Sequence, residues 1–258
     1  MTPISAVIIT FNEERNIKNC IDSLIPVMDE IIIIDSFSTD LTKEICLTYP
    51  VVFIEKSWQG YSDAKNFGNS ITKHEFIFSI DADERLSENL QNELILLKSQ
   101  NLKGNYSVNR LTNYCNHWIY YSGWFPDWKT RLFSKEISYW NNEIVHEELV
   151  HSLKIESTQL SGLLYHYSYY SHQQHKEKAD KYSLLTARKY FEQKKTVSVM
   201  SPYLSACSRF LSMYILKRGF LDGYSGFMIA KISAQSNIVK YKELLRLYRE
   251  KNPSINFP

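Results

Sequence analysis

Four short apolar runs, Ile4–Ile9, Ile31–Ile34, Val51–Ile54 and Phe76–Ile80, are each bounded by turn or polar residues and have the length of a buried parallel strand. Between them the pattern changes to the stripe of an amphipathic helix: Ile17, Cys20, Ile21, Leu24 and Ile25 follow it, and Ala64, Phe67, Gly68 and Ile71 repeat it. A further helix is expected after Ser87, a residue suited to cap a first turn, and should bury Leu90, Leu94 and Leu97. Strands alternating with helices predict βαβ units with right-handed crossovers. The expected class is therefore α/β, with a mostly parallel, Rossmann-like central sheet flanked by helices.

From about residue 104 to 165 this rhythm is lost. The segment is aromatic and irregular, with Tyr120, Tyr121, Trp124, Phe125, Trp128 and Trp140 and one short strand-like stretch, Thr130–Phe133. Beyond residue 175 the chain reads as helical and basic. An apolar stretch near 199–230 is interrupted by Arg209, Lys217, Arg218 and Asp222, which excludes a conventional membrane-spanning helix. The expected organisation is one domain over 1–175, divided into halves at 1–103 and 104–175, followed by a helical basic appendage over 176–258.

Composition changes this picture in two places. Residues 1–175 hold 14 Lys/Arg against 22 Asp/Glu, a net of −8, whereas 176–258 hold 16 against 6, a net of +10. The basic third suggests contact with an anionic surface, and a membrane face is preferred to nucleic acid, for which no motif is present; a solvated helical face is the alternative. Cys20, Cys46, Cys115 and Cys207 are scattered without CxxC pairing, and the first residues read as a strand with no basic leader. A reduced, cytoplasmic setting is expected, with peripheral attachment to the inner membrane face.

Ligands of an open α/β sheet gather beyond the carboxyl ends of its strands. The polar residues that follow the predicted strands are Thr10-Phe11-Asn12-Glu13, Asp35-Ser36-Phe37-Ser38-Thr39-Asp40 and Asp81-Ala82-Asp83. If the strand end stays extended, Asp81 and Asp83 point to one side and can present two hard oxygen ligands, which suits Mg²⁺ or Mn²⁺ better than zinc. Asp40 suits the start of the next helix, whereas Asp35, directly after four isoleucines, is better explained by a ligand N–H or hydroxyl. The first strand does not lead into GxGxxG and there is no P-loop; His146-Glu147-Glu148-Leu149-Val150-His151 misses the HExxH spacing by one residue.

The ordered set Ile8-Ile9-Thr10-Phe11-Asn12-Glu13-Glu14, Ile34-Asp35-Ser36-Phe37-Ser38-Thr39-Asp40, Ala64-Lys65-Asn66-Phe67-Gly68 and Asp81-Ala82-Asp83-Glu84 resembles the family 2 glycosyltransferases of the GT-A fold. The run Trp128-Lys129-Thr130-Arg131-Leu132-Phe133 followed by Val145-His146-Glu147 is similar to the bacterial group that adds a glucose to the lipopolysaccharide core. The resemblance implies an inverting transfer of a hexose from a UDP-sugar to a glycan or lipid-linked acceptor, with 1–175 as the catalytic domain, 1–103 its nucleotide-sugar-binding half and 104–175 its acceptor-side half. It implies that Thr10, Asn12, Glu13 and Asp35 hold the nucleoside, that Lys65 approaches it or the diphosphate, and that Asp81 meets the ribose. Asp83 would bind the Mg²⁺ or Mn²⁺, and Arg131 would add positive charge at the diphosphate; His166, which follows the apolar Leu163-Leu164-Tyr165, is read from its position as either a further metal ligand or a structural histidine.

The chain departs from the family pattern at Asp35-Ser36, where many members carry two acids, and the usual Glu-Asp base motif is missing. An inverting transfer needs a carboxylate to take the acceptor proton. Glu147 and Asp127 are the candidates, Glu147 preferred and Glu148 a lesser choice. Trp124 and Trp128 can stack on a sugar face or simply pack in a core. A metal-dependent sugar-nucleotide hydrolase and a sugar-nucleotide-binding protein without turnover are the alternative functions.

Overall fold

The computed structural model describes residues 1–141, 148–152 and 157–251. The chain forms two compact units, one of Met1–Leu111 and Pro126–Tyr167, the other of Thr112–Phe125 and Ser168–Pro258.

The first unit opens with β1 (Ile4–Thr10), α1 (Ile17–Leu24), β2 (Glu30–Asp35), α2 (Thr42–Cys46), β3 (Val52–Glu55), α3 (Tyr61–Ile71) and β4 (Phe76–Asp81). The four strands run parallel in the order β3-β2-β1-β4. β1 lies in the middle and is buried at every position, which is why it reads as an unbroken apolar run. Its residues alternate between faces: Ile4, Ala6 and Ile8 pack with Ile17, Ile21 and Leu24 of α1, while Val7 meets Ile77 and Phe133 and Ile9 meets Ile34 and Ala64. Cys46 is packed as a small hydrophobe, and burial pushes its thiol up to about 12.

A turn leads to β5 (Glu84–Leu86) and α4 (Glu88–Ser99), whose first turn is capped by Ser87 Oγ accepting from Leu90 N–H at 3.2 Å. Leu90 and Leu94 are buried as expected, whereas Leu97 is only partly buried against the same core.

The segment read as irregular forms strands instead. It contains β6 (Asn105–Tyr114), β7 (His117–Ile119), β8 (Trp128–Ser134), β9 (Ser138–Trp140), β10 (Leu149–His151) and β11 (Ser157–Tyr169). β8 joins the parallel strands antiparallel to β4, and the order continues β8-β6-β11-β5; β9 and β10 form a separate ribbon. The signal is short: Tyr106 and Val108 alternate with Asn105, Ser107 and Asn109, but Arg110 breaks the alternation before Leu111, and the polar positions are buried as well, so the strand lacks a clean apolar-in, polar-out pattern.

In the second unit the end of β6 pairs with β7, and three helical segments follow: α5 (His172–Glu192), α6 (Ser201–Leu211) and α7 (Gly223–Lys251). α6 continues through a π turn, Ser212–Leu216, and a 3-10 turn, Gly219–Asp222, leads into α7. Buried Asp222 organises the β7 end, accepting from Tyr120 N–H at 3.0 Å, Tyr121 N–H at 3.1 Å and Ser122 Oγ–H at 2.9 Å. At Gly226 a Cβ would overlap Gly219 O, so the chain can double back only with glycine there. Among the described residues no helix is long and apolar enough to cross a membrane.

Candidate active site

The site lies in the first unit, at the carboxyl ends of the parallel strands. The register sets Thr10 beside Asp35 and Ile9 beside Asp81, so the three polar strand ends converge on one edge as the sequence suggested.

The loops after β1 and β2 are knitted together. Ser38 donates to Asp35 through both its N–H (2.7 Å) and its Oγ–H (2.5 Å), and Asp35 is fully buried beneath it. Asn12 adopts φ 54°, a left-handed conformation that asparagine tolerates; its N–H donates to Ser38 Oγ at 2.8 Å and its Oδ1 accepts from Thr39 N–H at 2.8 Å. Glu13 N–H donates to Thr42 Oγ1 and Glu13 Oε2 accepts from Asn16. Asp40 accepts from Thr42 N–H at the start of α2, the structural part expected of it. Thr10 Oγ1 differs from these: it is buried and has no hydrogen-bond partner among the described residues.

From Lys65 onward the site is an alternating chain of charges. Lys65 Nζ lies 3.2 Å from Asp81 Oδ1; Arg131 Nη2 meets Asp81 Oδ2 at 2.9 Å and Glu84 Oε1 at 2.5 Å; Arg110 joins Glu84 (3.2 Å) to Asp127 (2.7 Å); Lys129 ends the chain 3.0 Å from Asp127. Each carboxylate is held between two cations. Burial works against the charge on Asp81, yet Lys65 and Arg131 overcome it and hold its carboxyl well below the usual range. Asp127 is depressed in the same way, with Arg110 and Lys129 opposing the effect of burial.

Lys65 is buried on α3 with its ammonium 4.6 Å from the centre of the Trp140 ring. Its neighbour Asn66 sets that ring: Asn66 Nδ2 donates to Trp140 O at 2.8 Å and Oδ1 accepts from Trp140 N–H at 2.9 Å, so a side-chain amide pairs with the edge of β9.

Asp83 is placed differently from the extended geometry expected. β4 ends at Asp81 and β5 begins at Glu84, so Ala82 and Asp83 form a turn and the two aspartates have different surroundings. Asp83 Oδ2 lies 3.3 Å from His166 Nε2, and its carbonyl accepts from Tyr167 N–H on β11. A carboxylate beside an imidazole is a pair of donors that could contribute to a divalent-cation site. Among the described residues no group of three His, Cys, Asp or Glu side chains could hold a metal alone.

The structure thus brings together Thr10, Asn12, Glu13, Asp35, Lys65, Asp81, Arg131, Asp83, His166 and Asp127 in one unit. Arg131 stands behind Asp81, its guanidinium engaged by Asp81 and Glu84. Glu147 lies outside the described residues; Asn141 and Glu148 flank its segment and are joined by Asn141 N–H to Glu148 O at 3.0 Å. Trp124 belongs to the second unit, edge-to-face with Tyr114 at 5.6 Å in a packed aromatic cluster, which is the core reading of that residue. Glu84, Arg110, Asn66 and Trp140 were not anticipated. A lone arginine inside the strand Asn105–Tyr114 was the available sign for Arg110.

Residues 5–162 match the family model described as Glycosyl transferase family 2. An uncharacterized glycosyltransferase of Rickettsia prowazekii is 31% identical over 258 residues, covering 95% of this chain and 87% of that one. A lipopolysaccharide core biosynthesis glycosyltransferase, LpsC of Rhizobium meliloti, is 40% identical over 94 residues, 34% of each chain. A crystal structure of glucosyl-3-phosphoglycerate synthase from Mycobacterium tuberculosis, in complex with Mn²⁺, UDP and glucosyl-3-phosphoglycerate, overlaps 43% of this chain and 44% of its own, at 23% identity and a TM-score of 0.35.

Proposed function

This chain belongs to glycosyltransferase family 2 and is a transferase, and we propose that it moves a hexose, glucose by preference, from a UDP-sugar to a glycan or lipid-linked acceptor with inversion at the anomeric carbon. The observation that carries this reading is the convergence of Thr10, Asp35 and Asp81 at adjacent strand ends, with Lys65 held against Asp81 at 3.2 Å. The nucleoside lies over β1 and β2, where Thr10 Oγ1 has an unused hydrogen bond and Asp35 accepts a base N–H or ribose hydroxyl in place of the Ser38 hydroxyl. Asn12 and Glu13 shape that floor, and Asp81 meets the ribose.

Lys65 supplies positive charge toward the diphosphate, and Arg131 acts by holding Asp81 in place. Asp83 and His166 are the residues that would hold Mg²⁺ or Mn²⁺, and the chemistry such an ion would supply is neutralisation of the diphosphate charge. Glu147 takes the proton from the acceptor hydroxyl. Asp127 is the weaker base, since Arg110 and Lys129 stabilise its charged form.

The likeness to LpsC over 94 residues supports a lipopolysaccharide-core acceptor. The free thiols Cys20, Cys46, Cys115 and Cys207 fit a cytoplasmic setting, and the basic charge of residues 176–258 fits an anionic membrane surface. The test is UDP release from UDP-glucose with Mn²⁺, with and without a lipopolysaccharide-core acceptor. Release that requires acceptor and vanishes in Asp83→Ala supports the transferase; equal release without acceptor supports a sugar-nucleotide hydrolase, and binding without release a non-catalytic protein.

A further inference from the structure

We infer that the second unit docks on an anionic lipid bilayer through the outward face of α6 and of the turns that follow it. This rests on the reading of the basic C-terminal third as membrane-facing and assigns that contact to one surface.

One side of α6 and its π turn is buried through Pro202, Ala206 and Met213. A helix with one face in a core ordinarily turns polar residues to water. Here the outward face is apolar as well: Met200, Leu204, Leu211 and Ile215 recur at helical spacing and are all exposed. Leu216 and Leu221 extend the stripe into the turns, with Leu216 78% exposed. Contiguous apolar exposure of this kind marks an interaction surface.

The charge around the stripe selects the occupant. From Lys194 to Leu221 the chain contains no acidic residue and five basic ones, Lys194, Lys195, Arg209, Lys217 and Arg218. An apolar helical face in a wholly cationic segment has the composition of a helix lying in the plane of an anionic interface. A second copy of the chain would bring like charges together across the stripe, and a basic partner would find no carboxylate on it.

The experiment is flotation of the purified full chain with phosphatidylglycerol/phosphatidylcholine vesicles and with phosphatidylcholine vesicles. Binding is expected to the anionic vesicles only. The charge-preserving variant Leu204→Asn/Leu216→Asn is expected to bind at least about tenfold more weakly, with an unchanged far-UV circular dichroism spectrum. Lys217→Gln/Arg218→Gln is expected to weaken binding and flatten its salt dependence. If the leucine variant floats as well as the parent, the contact is electrostatic only and the stripe is not the docking face. If sedimentation shows concentration-dependent dimers that the leucine variant abolishes, the occupant is a second copy. If neither vesicle binds the parent, the membrane reading fails altogether, while the transferase reading is judged separately by UDP release in detergent-free solution.

Discussion

The Arg131 guanidinium lies 2.5 Å from Glu84 Oε1 and 2.6 Å from Oε2, with both side chains buried inside the sheet. Glu84 Oε2 also accepts from Asp81 N–H at 3.1 Å, and Arg131 donates to the Asp81 carboxylate at 2.9 Å. The pair therefore holds the end of β4 by both backbone and side chain. Removing one member leaves the other charge buried with a single partner, Arg110 for Glu84 or Asp81 for Arg131, so the loss should approach but not exceed the roughly 3–5 kcal/mol of a fully orphaned buried charge. Glu84→Gln and Arg131→Met should each lower the urea midpoint sharply, and the double variant should be more stable than their summed losses predict. Additive losses would show that the two residues do not act as a pair.

Gly68 explains the end of the Ala64-Lys65-Asn66-Phe67-Gly68 sequence. A Cβ at this position would overlap Val7 Cγ1 on β1 and stand 3.2 Å from Ile34 Cγ1 on β2. Glycine lets α3 approach the sheet closely enough for Lys65 to reach Asp81. Gly68→Ala should cost about 1–3 kcal/mol, the usual penalty of overpacking, although alanine is the better helix former. Because the displaced helix carries Lys65, the affinity for UDP-sugar should fall too, measured by calorimetry. A variant that gains stability would overturn the contact.

The parts of this fold that could be read from sequence share a physical cause. β1, β2 and β4 are buried on both faces, so they appear as continuous apolar runs, and their carboxyl ends necessarily meet once they are parallel neighbours. The antiparallel half lacks that signal because its buried polar residues are satisfied by distant partners. Ser107 Oγ pairs with Thr130 Oγ1 and Ser157 Oγ, and Asn109 Oδ1 accepts from Asp127 N–H. The charge chain was illegible for the same reason: Glu84 and Arg131 are 47 positions apart, and nothing local to either names the other.

His175 should make stability depend on pH. It is buried on α5 with Nδ1 3.0 Å from Tyr114 Oη, and burial, with the charges of His172 and Lys178, lowers its pKa to about 4. An unfolded histidine titrates near about 6.5, so between the two values the unfolded chain binds the extra proton. The contribution is fully present above the unfolded value and is lost as pH falls toward 4. The His175 ring lies 4.6 Å from that of Tyr169, centre to centre. The urea midpoint should fall across this window, and His175→Phe, which keeps a ring there, should flatten that fall while lowering stability at pH 8. A slope unchanged by the substitution would assign the dependence to another group.

The choice between Glu147 and Asp127 as the base can be decided by separating folding from turnover. Asp127 neutralises Arg110 and Lys129, so Asp127→Asn leaves two cations facing each other and should reduce stability before it reduces chemistry. Its depressed pKa also makes it the poorer proton acceptor. Glu147→Gln should leave the melting temperature and the affinity for UDP-sugar unchanged while lowering kcat by about 10²–10⁴, the range of general base catalysis. The profile of kcat against pH should lose its acidic limb in the same variant. If Glu147→Gln turns over normally and Asp127→Asn stays folded, binds donor and is inactive, the proton goes to Asp127, and the pairing with Arg110 and Lys129 must then loosen when acceptor binds.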